Sequence, residues 1–200
     1  IGSTYMSSHF IAYSQSNPGL ASHSYVVSKG GGQTEILEAL IEDGVNRRDP
    51  TTANLARFWV LSLADAADRA RVSDATAAFI ARENIPFVPG GKSGTNSPLL
   101  YDSTMNPDRK KDGYYFCTAL TQEIYQRAGV RSAQVPYLAN QSNWNSITGL
   151  EKGVFEQLDI HAAKVPAPSD VLFQPQFKVR AMVLDPQGLK QSRRLRAVVD

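Results

Sequence analysis

The sequence predicts an α+β fold, a small antiparallel sheet with a helix packed against one face. Three observations carry this. Two β-prone runs flank three glycines between residues 23 and 41. Apolar residues recur at helical spacing after position 117 and stop at a glycine, and residues 177 to 183 alternate apolar with other side chains.

The first run, His23-Ser24-Tyr25-Val26-Val27-Ser28-Lys29, is rich in β-branched and aromatic residues and ends in Gly30-Gly31-Gly32, the composition of a strand entering a tight turn. Thr34-Glu35-Ile36-Leu37-Glu38-Ala39-Leu40-Ile41 then returns antiparallel to it. Alternation places Ile36, Glu38 and Leu40 on one face of the second strand and Glu35, Leu37 and Ala39 on the other. Phe58-Trp59-Val60-Leu61-Ser62-Leu63 reads as a third strand, and Ala64 to Glu83 has the alanine-rich, charge-studded composition of an amphipathic helix.

Pro86 and the run Pro89 to Pro98 interrupt regular structure. Gly90-Gly91-Lys92-Ser93 invites comparison with a phosphate-binding loop, but position 86, where that motif needs its upstream glycine, is proline. The run reads as a mobile loop near the later helix, lining a cleft. Between Asn140 and Asp159, Gly149 and Gly153 break any helical pattern. Trp144 there is either a sugar- or peptide-binding residue or a buried anchor. After Pro168, Phe177, Val179, Ala181 and Val183 alternate with Lys178 and Arg180 as in a half-buried strand, expected to close the sheet with the early hairpin.

A chain of 200 residues can bury one sizeable core, and nothing in it reads as an interdomain linker, so residues 1–200 are expected to form a single domain. A formal charge of +2 is too small to argue for nucleic acid. The basic cluster Lys190 to Arg196 has no interleaved aromatics to stack bases and reads as a solvated tail. No apolar stretch is long enough to span a bilayer. A single cysteine excludes an internal disulfide, so the cytosol and secretion are both compatible with folding. The start at Ile1 rather than methionine suggests a fragment trimmed from a longer protein.

That cysteine lies in Asp112-Gly113-Tyr114-Tyr115-Phe116-Cys117-Thr118-Ala119-Leu120-Thr121. Leu120, Ile124 and Ala128 repeat at helical spacing after it and Gly129 marks a stop, which puts Cys117 in the first turn of a helix. The positive end of the helix favours thiolate, the form that attacks a carbonyl carbon, and makes Cys117 a candidate nucleophile. The competing role is a small core hydrophobe. Of three histidines, His23 has the strongest strand and turn context. His161 offers a cysteine-then-histidine order but precedes a proline-rich turn, and His9 reads as an ordinary histidine. Glu38, sharing a face with apolar residues, needs a partner, either an imidazole N–H or solvent at the strand end. The histidines are scattered and no HExxH or paired-cysteine motif occurs, so neither a metal nor another cofactor is expected.

His23 before a Tyr-Val-Val strand, the glycine turn, Ile36-Leu37-Glu38-Ala39, and later Tyr115-Phe116-Cys117-Thr118-Ala119-Leu120 closed by Ala128-Gly129-Val130 resemble the permuted papain-fold hydrolases. The match is to the YiiX-like branch of the NlpC superfamily, with lecithin retinol acyltransferase among its distant relatives. Val165 to Phe177 is similar to the family's Pro-x-Asp ending. The chain has Thr118-Ala119 where the family usually writes serine and glutamate, and Ser8 to Ser14 where relatives begin with a Gly-Asp strand.

The resemblance implies a Cys117, His23, Glu38 triad in a permuted papain-like fold, bacterial origin, and a peptidoglycan peptidase or amidase acting on cell-wall peptide bonds. Secretion or delivery to the periplasm of a target cell as an antibacterial toxin, with an immunity or delivery partner protein, would suit such an enzyme. Lipid acyl-ester hydrolysis or acyl transfer is the alternative within catalysis. A non-catalytic binding module of the same fold is the alternative outside it.

Overall fold

A computed structural model describes residues 23–30, 32–50, 58–89, 96–104, 106–130 and 176–183. Its main element is a four-stranded sheet in the order β1-β2-β3-β5, formed by β1 (Val26–Gly30), β2 (Gln33–Leu40), β3 (Gly44–Arg48) and β5 (Phe87–Val88). β1, β2 and β3 are antiparallel neighbours, while β5 joins β3 in parallel, so the sheet is mixed. The hairpin expected from residues 23 to 41 is β1-β2: Val26 faces Leu37, Gly30 faces Gln33, and Gly32 takes φ +83° in the turn.

β2 is one of two inner strands, and Glu35 to Ala39 are all buried. Its two faces differ in chemistry. Leu37 and Ala39 join Val26 and Val45 in the apolar core. On the opposite face Glu38 lies across from Asn46, and Ile36 across from Arg48. The sheet thus has an oily side and a side carrying buried polar groups.

β3 (Gly-Val-Asn-Arg-Arg) has a single β-branched residue and was not anticipated from sequence. What makes it a strand is pairing on both sides, with β2 and with β5. Gly44, at φ +64°, ends the turn from β2, and a Cβ there would sit 2.3 Å from the Leu99 carbonyl oxygen, which accepts the Val45 N–H at 2.9 Å. Gly44→Ala is therefore expected to cost about 2–4 kcal/mol, combining a disfavoured φ with a backbone clash. Urea unfolding would measure it.

Two helices cover the oily side. α1 (Ala66–Arg82) starts later than the Ala64 expected, because Asp65 caps it by accepting the Ala67 and Asp68 N–H groups at 2.6 and 3.1 Å. Those bonds hold the Asp65 carboxyl below the usual range. Val72, Thr76 and Phe79 form its buried stripe. α2 (Cys117–Arg127) buries Leu120 and Ile124 in the same core, and Gly129 at φ +67° stops it.

β4 (Phe58–Leu63) spans the expected residues, but β8 (Phe177–Val183) corrects an expectation: it pairs antiparallel with β4 in a separate two-stranded sheet, not with the early hairpin. Alternation identifies a strand but not its partner. Here Phe177 anchors β8 edge-to-face against Tyr125 of α2, at 5.6 Å between ring centroids, and the Ala64 N–H continues the ladder to the Gln176 carbonyl at 2.8 Å. A bulge shifts the register, so that Val60 faces Ala181 while Leu61 faces Val179. Val179 ends up exposed.

A parallel pair, β6 (Leu100–Tyr101) and β7 (Tyr114–Tyr115), with a 3-10 helix over Pro107–Asp112 between them, delivers the chain to α2. Among the described residues no helix is long and apolar enough to cross a membrane. The segments 90–95 and 140–159, Trp144, His9, His161, residues 165–175 of the expected family ending and the basic cluster 190–196 lie outside the described residues.

Candidate active site

Cys117 is the first residue of α2. Phe116, in the cap position, is extended (φ −101°, ψ 167°) and its apolar side chain offers the first turn no acceptor. Two amides face the sulfur, the Thr118 N–H in the first turn and the Ser24 N–H from the segment before β1. Cys117 is 6% exposed. Thr121, one turn on, donates its hydroxyl to the Cys117 carbonyl at 3.1 Å and meets Ser24 Oγ at 3.1 Å, which pins the start of α2 to the segment carrying His23.

His23 stands just before β1 on the polar side of the sheet, and Glu38 projects from β2 on that same side. His23 Nε2 lies 3.0 Å from Glu38 Oε2, with Glu38 deeply buried. That bond uses Nε2 and leaves Nδ1 as the ring nitrogen available to Cys117, with which His23 also hydrogen-bonds. The structure thus brings the three expected site residues, Cys117, His23 and Glu38, into one connected cluster from the segment before β1, from β2, and from a helix nearly eighty residues later in the sequence.

The electrostatics favour an ion pair over a neutral one. Burial opposes charge on His23, but the Cys117 thiolate and then the Glu38 carboxylate outweigh it and push the imidazole up to about 10. Burial likewise opposes the thiolate. The His23 charge and hydrogen bond, joined by the Ser24 and Thr118 amides, overcome it and hold Cys117 below the ordinary thiol range. Two tyrosines border the pair as neutral phenols. Tyr101 is raised by burial and then by the Cys117 charge, and Tyr25 by burial and then by Glu38. The Tyr25 ring lies 6.2 Å from that of His23.

Sequence reasoning missed what lies behind Glu38. Arg48 Nε is 2.5 Å from Glu38 Oε1, a charge contact without the alignment of a hydrogen bond. Arg48 Nη2 pairs with Asp43 Oδ2 at 3.2 Å, and both Nε and Nη2 reach Asn46 Oδ1 at 3.3 Å. The available pointer was Asp43-Gly44 directly after the second strand, a hairpin-turn dipeptide that announces a further strand. Among the described residues no group of three His, Cys, Asp or Glu side chains could hold a metal ion.

The geometry sets a sulfur held towards thiolate beside an imidazole held towards its protonated form, with a carboxylate on the ring. Such a set is suited to acyl transfer. Compared with models of known protein families, with curated proteins and with solved structures, the chain finds no match.

Proposed function

We propose that the chain is a cysteine hydrolase of the permuted papain-like, YiiX-like type, cleaving an amide bond by thiolate attack. The observation that carries this is the contact of its sole cysteine, at a helix N-terminus, with an imidazole whose other nitrogen is held by a buried carboxylate. The chain order supports the permuted form, since the histidine hairpin precedes the cysteine helix.

The resting pair fixes the sequence of proton movements. Because the proton already resides on His23, the thiolate attacks the carbonyl carbon without prior deprotonation. The carbonyl π electrons move to oxygen, where the Cys117 N–H at the helix start is placed to donate. As the tetrahedral intermediate collapses, the C–N bond breaks and His23 gives its proton to the departing amine. Neutral His23 then takes a proton from water, the resulting hydroxide attacks the thioester carbonyl, and release of the carboxylic acid restores thiolate and imidazolium. Glu38 keeps one ring nitrogen engaged throughout, so the other stays on the reacting atoms.

Cell-wall peptide amide bonds are the substrate class we assign, on the resemblance of the His23 and Cys117 motifs, in a bacterial enzyme delivered to the periplasm as a toxin. Digestion of purified sacculi tests this. New amino termini and product masses matching cleaved stem peptides are expected, and none with Cys117→Ala. Fatty acid released from phospholipid vesicles, with sacculi untouched, would instead establish the acyl-ester activity.

A further inference from the structure

The two oxygens of Glu38 are held from opposite sides. Oε2 meets His23 Nε2 at 3.0 Å and Oε1 meets Arg48 Nε at 2.5 Å, in a setting where both Glu38 and Arg48 are buried. Turning the carboxylate about its Cγ–Cδ bond would break both contacts. Arg48 is itself fixed, by Asp43 and Asn46 at the remainder of its guanidinium and by the pairing of its backbone with Val88. From the thiolate inward the charges alternate: Cys117, His23, Glu38, Arg48, Asp43. Such an order lets each member be neutralised by its neighbours, and in a low-dielectric setting a chain of this kind is strongly coupled.

We propose that Arg48 is a positioning residue of this site, holding Glu38 so that its free oxygen stays on His23 and the ring stays on Cys117. This rests on the cysteine-hydrolase reading. The Arg48 guanidinium binds Glu38, Asp43 and Asn46, so its route to His23 runs through Glu38. A merely structural arginine would clip the β2-β3 turn to Asp43 and leave the thiol indifferent to its replacement. The groups that set His23 are Cys117 on α2 and Glu38 on β2, with the neutral Tyr25 ring beside it. Those facing Arg48 are Glu38 and Asp43.

The test is the pH profile of Cys117 alkylation by iodoacetamide, with circular dichroism as the folding control. Arg48→Lys keeps a charge but loses the rigid fork. The paired variant Arg48→Gln/Asp43→Asn removes both charges together and leaves no carboxylate at position 43 needing a partner, so it keeps the measurement decisive if a single variant does not fold. In the folded variants the rate at pH 6 is expected to fall about tenfold and the apparent thiol pKa to rise, as for residues of one coupled network. An activated thiol in the unsubstituted protein that stays unmoved in the folded variants would overturn the role of Arg48 and leave the hydrolase reading standing. An ordinary thiol in the unsubstituted protein would overturn both.

Discussion

Cys117→Ala is expected to abolish turnover, lowering kcat/KM by about ten-thousandfold or more, because the covalent route through a thioester disappears and no other group is placed to replace the sulfur. Stability should change little. The substitution removes one sulfur atom from a packed site, and His23 keeps its bond to Glu38 whether or not it gives up its proton; a loss of about 1 kcal/mol is expected. Activity on sacculi together with urea unfolding separates the possibilities. A packing cysteine would show the reverse pattern, with a clear loss of stability and no activity to lose.

Glu38→Ala should produce the second large effect, on both quantities. Removing the carboxylate strips His23 of its hydrogen-bond acceptor and leaves Arg48 buried with Asp43 as its remaining acidic neighbour. Breaking one side of a buried charge set costs about 3–5 kcal/mol. Glu38→Gln keeps the volume and a hydrogen-bonding oxygen but no charge, so the fold should be better preserved. Its activity should still fall about a hundredfold or more, since the imidazolium loses its stabilising carboxylate. Denaturation midpoints and kcat, measured on both variants, would separate the structural cost from the chemical one.

The paired shifts also specify how stability varies with pH. His23 rises from 6.5 to about 10 on folding, so its contribution is complete below 6.5 and is lost as pH climbs through about 10. Cys117 moves down from 9.0, so its contribution is complete above 9.0 and is lost as pH falls through its lower folded value. Just below 9.0 the folded pair holds one proton, on His23, and the unfolded pair one, on the thiol, so the pair adds nothing to the slope of stability against pH there. Above 9.0 the unfolded thiol ionises while folded His23 keeps its proton, and stability falls as pH climbs through about 10. Urea unfolding from pH 8 to 10.5 should show this shoulder in the unsubstituted protein, and Cys117→Ala, which has no thiol to ionise, should lose it. Identical profiles would contradict the ion pair.

The sequence announced local elements better than their assembly. The β1-β2 hairpin was legible because the glycine turn and the β-branched run act within twenty residues, and α1 and α2 because their apolar stripes and end residues are local. β3 was not, since Gly-Val-Asn-Arg-Arg becomes a strand only through neighbours on both sides. The pairing of β8 with β4 was misread for a related reason: any alternating strand can complete any open edge, and the choice here follows from the Phe177 contact with Tyr125. At the site, Glu38 was readable as a charge on an apolar face, and a charge so placed demands partners. Its first partner, His23, was found because the hairpin register is short. Arg48 was hidden with β3, and Tyr101, whose phenol feels the Cys117 charge, comes from β6, a two-residue strand without periodicity of its own.

The alkylation of Cys117 by iodoacetamide as a function of pH, in the unsubstituted protein and in His23→Ala, bears most directly on whether a thiolate–imidazolium pair exists. Rapid reaction at pH 6, with an apparent thiol pKa well below the ordinary value of about 8.5, is expected in the unsubstituted protein, is lost in His23→Ala, and is retained in His161→Ala. A thiol that titrates near the ordinary value in all three proteins, or that reacts only after unfolding, would contradict the pair and leave Cys117 as a packing residue.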